Sequence, residues 1–411
     1  MKKFLLTKKI RVLFATAGFV ALLVFFCACA NSELMPKDSL VPEPSERLIT
    51  EQTSIPAPTA ENFHEPAPES LTSPSDITEN IAAEAEVIPE PDPIILAFTG
   101  DINLGDNWIT MQHLAKQANG LSDCISPVLL ERMNDADVLL INHEFTLSDR
   151  GEPLNDKLYV FRGKTENVKY LVEMGANLAC LANNHIFDYG KDAFFDTLDT
   201  LTGAGIATIG AGRNLEEAME PWYFTKNDLT IAYVAATRAE KYILTPAATD
   251  ESPGVLRTYD SALFLEAVRN ARINADVVIA VVHWGTEYSY ILEDAQTKLA
   301  HELIEHGADL VVGSHPHCLQ GIEFYQGKPI VYSLGNFWFN EKTLESALLE
   351  VSVSPEGELT LTIHPCWQEN IRVDLLSEAT ERRMVFDLLE SISPEHGIVI
   401  DENGIVIPVD F

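Results

Sequence analysis

The chain has 411 residues, 46% of them hydrophobic and 9% aromatic, enough to bury one large core or two ordinary ones and too apolar for a generally disordered protein. Asp and Glu number 62 against 28 Lys and Arg, a net charge of −34. That balance argues against nucleic acid, or an anionic membrane surface, as a partner of the globular part.

Lys2, Lys3, Lys8, Lys9 and Arg11 precede an apolar run from Val12 to Ala30 that ends FFCACAN. A basic start, an apolar middle and a Cys preceded by Ala28 have the form of a bacterial lipoprotein signal, with Cys29 as the lipidated residue. Phe26, three residues before it, fits that form less well than Leu. The competing reading is an uncleaved transmembrane anchor, because the run is close to the minimum of roughly 17 residues for a spanning helix. Both readings place the rest of the chain on the extracytoplasmic face of the cell membrane. Residues 30–93 hold about half of the 22 prolines, with Lys37 and Arg47 as their basic residues, and read as a disordered, extended linker. Cys124, Cys180, Cys318 and Cys366 have no CxxC spacing, so no disulfide framework is expected.

From Ile94 the texture changes. Apolar runs at Ile94–Phe98, Val138–Ile141, Asn177–Leu181, Ala207–Gly210, Leu229–Ala235, Val277–Val282, Leu310–Gly313 and Pro329–Ser333 read as strands. Helical patterns lie between several of them, at Thr165–Met174, Lys191–Ala204, Ser261–Asn274 and Asp294–His306. Such alternation predicts an α/β fold with largely buried sheets. Alternating residues from Ser346 to Val373, around Pro355-Glu356-Gly357, predict a β-hairpin. These patterns divide the folded part into a domain over 94–376 and an extension over 377–411, the latter a helix followed by a short strand.

The ends of these strands carry the chemistry. Asp101 follows IILAFTG, Glu144 follows VLLINH, Asn184 and His185 follow NLACLAN, and His283 follows VVIAVV. ADLVVGSHPHCLQG then delivers His315 and His317 at i and i+2, with Pro316 stiffening the link. In open α/β sheets ligands bind beyond the carboxyl ends of the strands, so one shared site is expected. A mixed set of carboxylate, amide and imidazole groups suits zinc, manganese or iron and lacks the thiolates of a structural zinc site. Two dications against two carboxylates would leave a positive pocket, suited to an anionic phosphate or to polarising a carbonyl.

Bland readings accompany each candidate. Asp101 and Asn103 suit a helix-capping loop, Asn183 and Asn184 a turn, and His283 a core position beneath Trp284. Glu287 suits a supporting hydrogen bond, Ser333 and Asn336 the bracing of their loop, and His143 an orientation away from its neighbours. His64, His113, His301, His306, His364 and His396 have no companion pattern and default to surface or helix positions.

FTGDIN, INHEF, LANNHIFDYG, VVHWGTEY and ADLVVGSHPHCLQGIEFYQGKPIVYSLGNF, in this order, resemble the CapA family of capsule and poly-γ-glutamate synthesis, which includes PgsA-type components. The resemblance covers roughly residues 94–340. That family is similar to the calcineurin-like metallophosphoesterases, which implies a four-layer α/β/β/α sandwich and a centre of one or two divalent ions (Mn, Zn or Fe). Carried over, it makes Asp101 a first ligand and Glu144 a bridging carboxylate, with Asn184, His283, His315 and His317 completing two adjacent sites. His185 becomes the acid that protonates a leaving group. Two departures stand out: Asp101-Ile102-Asn103 replaces Asp-x-His, putting Asn103 at a metal-ligand position, and Asn142-His143-Glu144 replaces Gly-Asp. One bound metal is therefore a firmer expectation than two.

No GxxxxGK[ST], GxSxG or dinucleotide fingerprint is present, so nucleotide-driven polymer synthesis has no support in this chain. Three functions remain: a membrane-anchored CapA-type protein in capsule or poly-γ-glutamate production or export beside a separate synthetase, a metal-dependent phosphoester hydrolase, and a non-catalytic scaffold of an export complex. Hydrolysis of an amide by the same metals is a further variant of the second.

Overall fold

The computed structural model describes residues 92–240, 244–394 and 397–409. The expected signal or anchor with Cys29, and the expected linker up to residue 91, lie outside the described residues. Among the described residues no helix is long and apolar enough to cross a membrane.

Two principal sheets form the body. Their strands are β1 (Ile94–Ile102), β2 (Val138–His143), β3 (Leu178–Cys180), β4 (Ala207–Ile209), β5 (Trp222–Lys226), β6 (Leu229–Thr237) and β7 (Val277–His283). After these come β8 (Leu310–Ser314), β9 (Leu319–Tyr325), β10 (Lys328–Leu334), β11 (Asn336–Trp338), β12 (Leu344–Val353), β13 (Leu359–Glu369) and β14 (Arg372–Leu375). The first sheet runs β14-β13-β12-β1-β2-β3-β4, with β11 also pairing β1; the second runs β9-β10-β8-β7-β6-β5. β1 to β4 are parallel, as are β6, β7, β8 and β10, while antiparallel pairs close the edges.

Each central strand alternates between two apolar environments, which is why these runs read as continuously hydrophobic. Leu96 and Phe98 of β1 and Ile279 and Val281 of β7 meet between the sheets. On the other face of the first sheet, Leu139 and Ile141 share an apolar layer with α1 (Ile109–Leu114), α2 (Pro127–Asp135), α3 (Val168–Glu173) and α4 (Gly190–Gly203) through Met111, Leu129, Leu171 and Phe194. On the far face of the second sheet, Ala280 and Val282 share an apolar layer with α5 (Leu215–Met219), α6 (Ala262–Ile273) and α7 (Asp294–Glu305) through Ala218, Phe264 and Leu303. Three apolar layers separate four layers of secondary structure, the expected α/β/β/α order. The terminal helix α8 (Ala379–Ile392) buries Val385, Phe386 and Leu389 in the inter-sheet layer, together with Ile398, Ile400 and Val406 of two short antiparallel strands. The chain end is therefore part of the core, and it carries two strands where one was expected.

The hairpin over Ser346–Val373 is β12 and β13, extended by β14 at the sheet edge. Strands β5 and β9 escaped the sequence reading. Both are tied to a neighbour by a two-residue turn in the left-handed region, Asn227-Asp228 (φ 53° and 61°) and Gln326-Gly327 (φ 51° and 76°), which is the geometry of a tight hairpin. The pattern at Thr165–Met174 resolves into a 3-10 turn over Thr165–Asn167 and then α3. Cys124, Cys180, Cys318 and Cys366 are buried, and among the described residues none of them is paired.

Candidate metal centre

The sequence-predicted residues converge where the carboxyl ends of the two sheets meet. Asp101 lies near the end of β1, in register with Asn142 of β2 on one side and Asn336 of β11 on the other. Its amide donates to the Gly335 carbonyl at 2.9 Å, and a Cβ at Gly100 would collide with that same carbonyl oxygen. Glu144 follows β2 directly, His283 ends β7, and His315 and His317 follow β8. Both of these histidines have positive φ, 96° and 55°. Such backbone costs on the order of 1–3 kcal/mol per residue, and around Pro316 it turns successive imidazoles into one site.

Two triads result. Asp101, Glu144 and His317 each offer one ligand atom within 4.8 Å of the others, and so do Glu144, His283 and His315; Glu144 belongs to both. Asn184 Oδ1 lies 2.9 Å from His283 Nε2, at the second triad. Supporting contacts orient the rings: Ser314 Oγ lies 2.9 Å from His283 Nδ1, and Asn336 Oδ1 lies 2.8 Å from His317 Nδ1. Because the His317 N–H points at Asn336, Asp101 Oδ2 is out of line with it despite a separation of 2.9 Å, and keeps no hydrogen-bond partner. Asn336 therefore orients the ring of a candidate ligand, beyond the loop bracing expected of it, whereas Ser333 does brace its loop, donating to the Cys318 carbonyl at 2.8 Å.

Asp101 Oδ2, Glu144 Oε1 and His315 Nδ1 are buried and, among the described residues, have no hydrogen-bond partner. Each such orphan costs roughly 1–3 kcal/mol, and divalent cations held by the two triads would satisfy them. The donor set fits manganese, zinc or iron. Charge points the same way. Burial, then repulsion from Asp101, pushes the Glu144 carboxyl well above its ordinary value. Burial, then the neighbouring histidines, holds His283 and His315 well below theirs, so both are neutral and available as ligands. Burial holds His317 down as well, but the Asp101 carboxylate 2.9 Å from its Nδ1 outweighs this and raises it.

Asn103 is bonded within its own loop. Its Oδ1 accepts the Gly105 amide at 2.8 Å and its backbone carbonyl accepts from Thr110, so it caps its own loop. Among the described residues it makes no hydrogen bond to either triad. The oxygen a metal would use is engaged locally, as expected of an Asn in a tight turn. Cys318 belongs to neither triad.

His185 sits beside the centre, with Nε2 3.8 Å from Glu144 Oε1 and Nδ1 2.7 Å from Asp188. Burial lowers its pKa although Asp188 opposes the shift. Asp188 is in turn paired with Lys157 at 2.9 Å, and Lys157, only 6% exposed, also pairs with Glu240 at 3.2 Å and donates to the Asn184 carbonyl. His185 and His317 form part of a cavity of about 480 Å³ walled by Trp108, Tyr159, Phe161, Tyr288 and Phe339, with Lys342 at its rim. A groove of about 630 Å³ around Trp367 and Arg372 carries neither triad.

Sequence reading gave no role to Lys157, Ser314 or Asn142. Asn142 is central: its Nδ2 lies 2.7 Å from Asp101 Oδ1, 3.3 Å from His283 Nδ1 and 3.4 Å from Glu144 Oε2. The available signal was its place two residues before Glu144, which puts both side chains on one side of an extended strand. His143, between them, points elsewhere and stacks on Phe145 with centroids 3.8 Å apart; burial pushes it down to about 3. His113, His301, His306 and His364 bond to Gln117, Glu323, the Glu302 carbonyl and Glu350 respectively, away from the centre.

The family described as Bacterial capsule synthesis protein PGA_cap matches residues 95–341, an interval that holds both triads. The chain belongs to this family. It is 31% identical over 298 residues to the PGA biosynthesis protein CapA of Bacillus subtilis, covering 70% of this chain and 77% of that protein. It is also 31% identical over 287 residues to the capsule biosynthesis protein CapA of Bacillus anthracis, covering 67% and 68%. Among solved structures, a phosphatase from Mycoplasma pneumoniae aligns with TM-score 0.43 and 12% identity over 68% of this chain and 95% of that one. The NAD nucleotidase of Haemophilus influenzae aligns with TM-score 0.39 and 14% identity over 73% and 62%.

Proposed function

We propose that this PGA_cap protein is a divalent-metal hydrolase of an anionic or amide-containing substrate, acting in capsule or poly-γ-glutamate production on the extracytoplasmic face of the membrane. The observation that carries the chemistry is the pair of buried triads sharing Glu144, with orphaned ligand atoms from both sheets. The biological setting rests on the kinship with the two CapA proteins. Anchorage through residues 1–29, by lipid on Cys29 or by a helix, and work beside a polymer synthetase or exporter are part of the proposal.

Asp101, Glu144, His283, His315, His317 and the Asn184 oxygen would hold one or two cations. A cation there supplies Lewis acidity toward a phosphoryl or acyl oxygen and makes a water nucleophilic at neutral pH. The chain's own groups do the rest. The aromatic walls exclude water and orient the substrate above the triads, with Lys342 available to an anionic group at the rim. His185 moves a proton at Nε2 while Asp188 fixes the ring through Nδ1.

The test is elemental analysis of the purified protein, followed by turnover of aryl phosphates and γ-glutamyl amides with manganese, zinc or iron added. Metal-dependent turnover that falls about 10²-fold or more in His185→Ala, with metal content unchanged, is the expected result. Protein that binds no metal at neutral pH would sink the hydrolase and leave a scaffold.

A further inference from the structure

A chain of hydrogen bonds runs from the first sheet to the wall of the cavity, and backbone groups fix its direction. Gln368 of β13, fully buried, accepts the Phe339 amide at Oε1 (3.1 Å) and donates through Nε2 to the Lys342 carbonyl (2.8 Å), which leaves its amide one orientation. The same Nε2 donates to Asn340 Oδ1 at 3.1 Å, and the Lys342 amide donates to that oxygen at 3.0 Å. Asn340 is therefore a donor at its other end. Its Nδ2 meets the Tyr288 hydroxyl at 3.3 Å, so the phenol oxygen accepts there and its own proton is turned away. Among the described residues no acceptor takes that proton.

Tyr288 lines the cavity together with His185 and His317, with its ring 5.8 Å from the His317 ring. Its backbone is in the left-handed region (φ 57°), which costs on the order of 1–3 kcal/mol in a residue with a side chain. What holds it is the Pro316 carbonyl, between the two candidate ligand histidines, which accepts the Tyr288 amide at 2.7 Å. Lys342 Nζ stands 3.2 Å from the ring centroid and secures the ring face. The phenol is thus fixed in place, fixed in polarity and, being 39% exposed, open to a solute.

We infer that Tyr288 is a catalytic residue of the proposed hydrolase, donating its O–H to a non-bridging phosphoryl oxygen of a phosphate ester seated in the cavity. The inference rests on the hydrolase reading and narrows its substrate class. A carbonyl offers one oxygen, which the metal centre would take, whereas a phosphoryl group has further charged oxygens left for a donor in the wall. Because Asn340 already orients the hydroxyl, no reorganisation is needed as negative charge develops on that oxygen. The phenol keeps its proton throughout.

Kinetics on aryl phosphates with manganese, and calorimetric binding of inorganic phosphate and orthovanadate, test it on the wild type, Tyr288→Phe, Asn340→Asp and the double variant of the full chain. Tyr288→Phe keeps the ring under Lys342 and is expected to lower kcat about tenfold or more, with KM within about twofold and metal content unchanged. Orthovanadate, which can adopt the five-coordinate geometry of the transition state, should be weakened more than phosphate. Asn340→Asp puts an acceptor where the donor stood, so the Tyr288 proton turns back and kcat falls although the hydroxyl remains. In the Tyr288→Phe background the same substitution should have a smaller effect, since no proton is left to redirect. Unchanged kcat in Tyr288→Phe, equal weakening of phosphate and orthovanadate, or full additivity of the two substitutions overturns the inference while the hydrolase stands. So does turnover of γ-glutamyl amides without turnover of aryl phosphates. Absence of manganese, zinc and iron binding in the wild type overturns the hydrolase and the inference together. Should Asn340→Asp fail to fold, Tyr288→Phe carries the test by itself through kcat and the two oxyanions.

Discussion

The two sheets contribute to the centre in opposite chemical currencies. The first supplies oxygen donors at or beyond the ends of β1, β2 and β3: Asp101, Glu144 and the Asn184 amide. The second supplies nitrogen, with His283 ending β7 and His315 and His317 following β8. Each triad takes groups from both sheets, so neither half is a site without the other. The halves also differ in what burial does to them. On the oxygen side it confines charge, and Glu144 is pushed far up; on the nitrogen side it keeps His283 and His315 neutral and ready to bind. The difference locates the instability of the metal-free protein in its carboxylates.

The shared carboxylate is the place to break that asymmetry hardest. Glu144→Ala should remove both metal positions and lower affinity more than 100-fold, whereas His283→Ala should leave the Asp101 and His317 position and cost at most one equivalent; metal content of dialysed protein distinguishes the two. Next comes the geometry that lets each sheet deliver its ligands. A Cβ at Gly100 would strike the Gly335 carbonyl oxygen, and one at Gly313 the Tyr332 carbonyl oxygen and the Trp284 ring. Gly100→Ala and Gly313→Ala should each destabilise by about 2–3 kcal/mol or more in urea unfolding, since backbone and ring must shift to make room.

A smaller effect sharpens the electrostatic half of the comparison. Because the folded-state pKa of Glu144 is raised, the folded metal-free protein holds this proton after the unfolded chain has released it. Its contribution to stability is therefore full below about pH 4.5, the ordinary value, and declines as pH rises toward the folded value. Glu144→Gln should flatten that decline and stabilise the metal-free protein at pH 7 by about 1 kcal/mol or more, even as metal binding is lost. Metal-free denaturation curves at pH 5 and pH 7 check it. The smallest expectation is a control on the nitrogen side. Lys298→Ala cuts an exposed 3.7 Å pair with Glu302 on α7 and should change stability by less than about 0.5 kcal/mol.

Much of this was legible locally. Runs such as VVIAVV are apolar on both faces because they lie between layers, and a polar residue directly after such a run marks the strand end where ligands gather. Asp101, Glu144, His283, His315 and His317 were readable for that reason. For Asn103 a position matched to a motif does not say where the amide oxygen points, and the structure turns it to the Gly105 amide. Lys157 reaches its place from a loop 27 residues before Asn184, with no pattern to announce it. The turns that create β5 and β9 depend on positive φ at Asn227, Asp228, Gln326 and Gly327, which Asn-Asp and Gln-Gly allow without requiring.

By itself the sequence determined the alternation of buried strands and helices, the candidate ligands and their placement at strand ends. All of these follow from the period of a strand and the preferences of neighbouring residues. Only the tertiary structure decided that two sheets stack, that α8 and the terminal strands join the layer between them, that Glu144 serves two triads, and that Asn142 lies between them. Those outcomes rest on contacts such as Asn142 with His283, 141 residues apart, which packing and long-range strand pairing bring together.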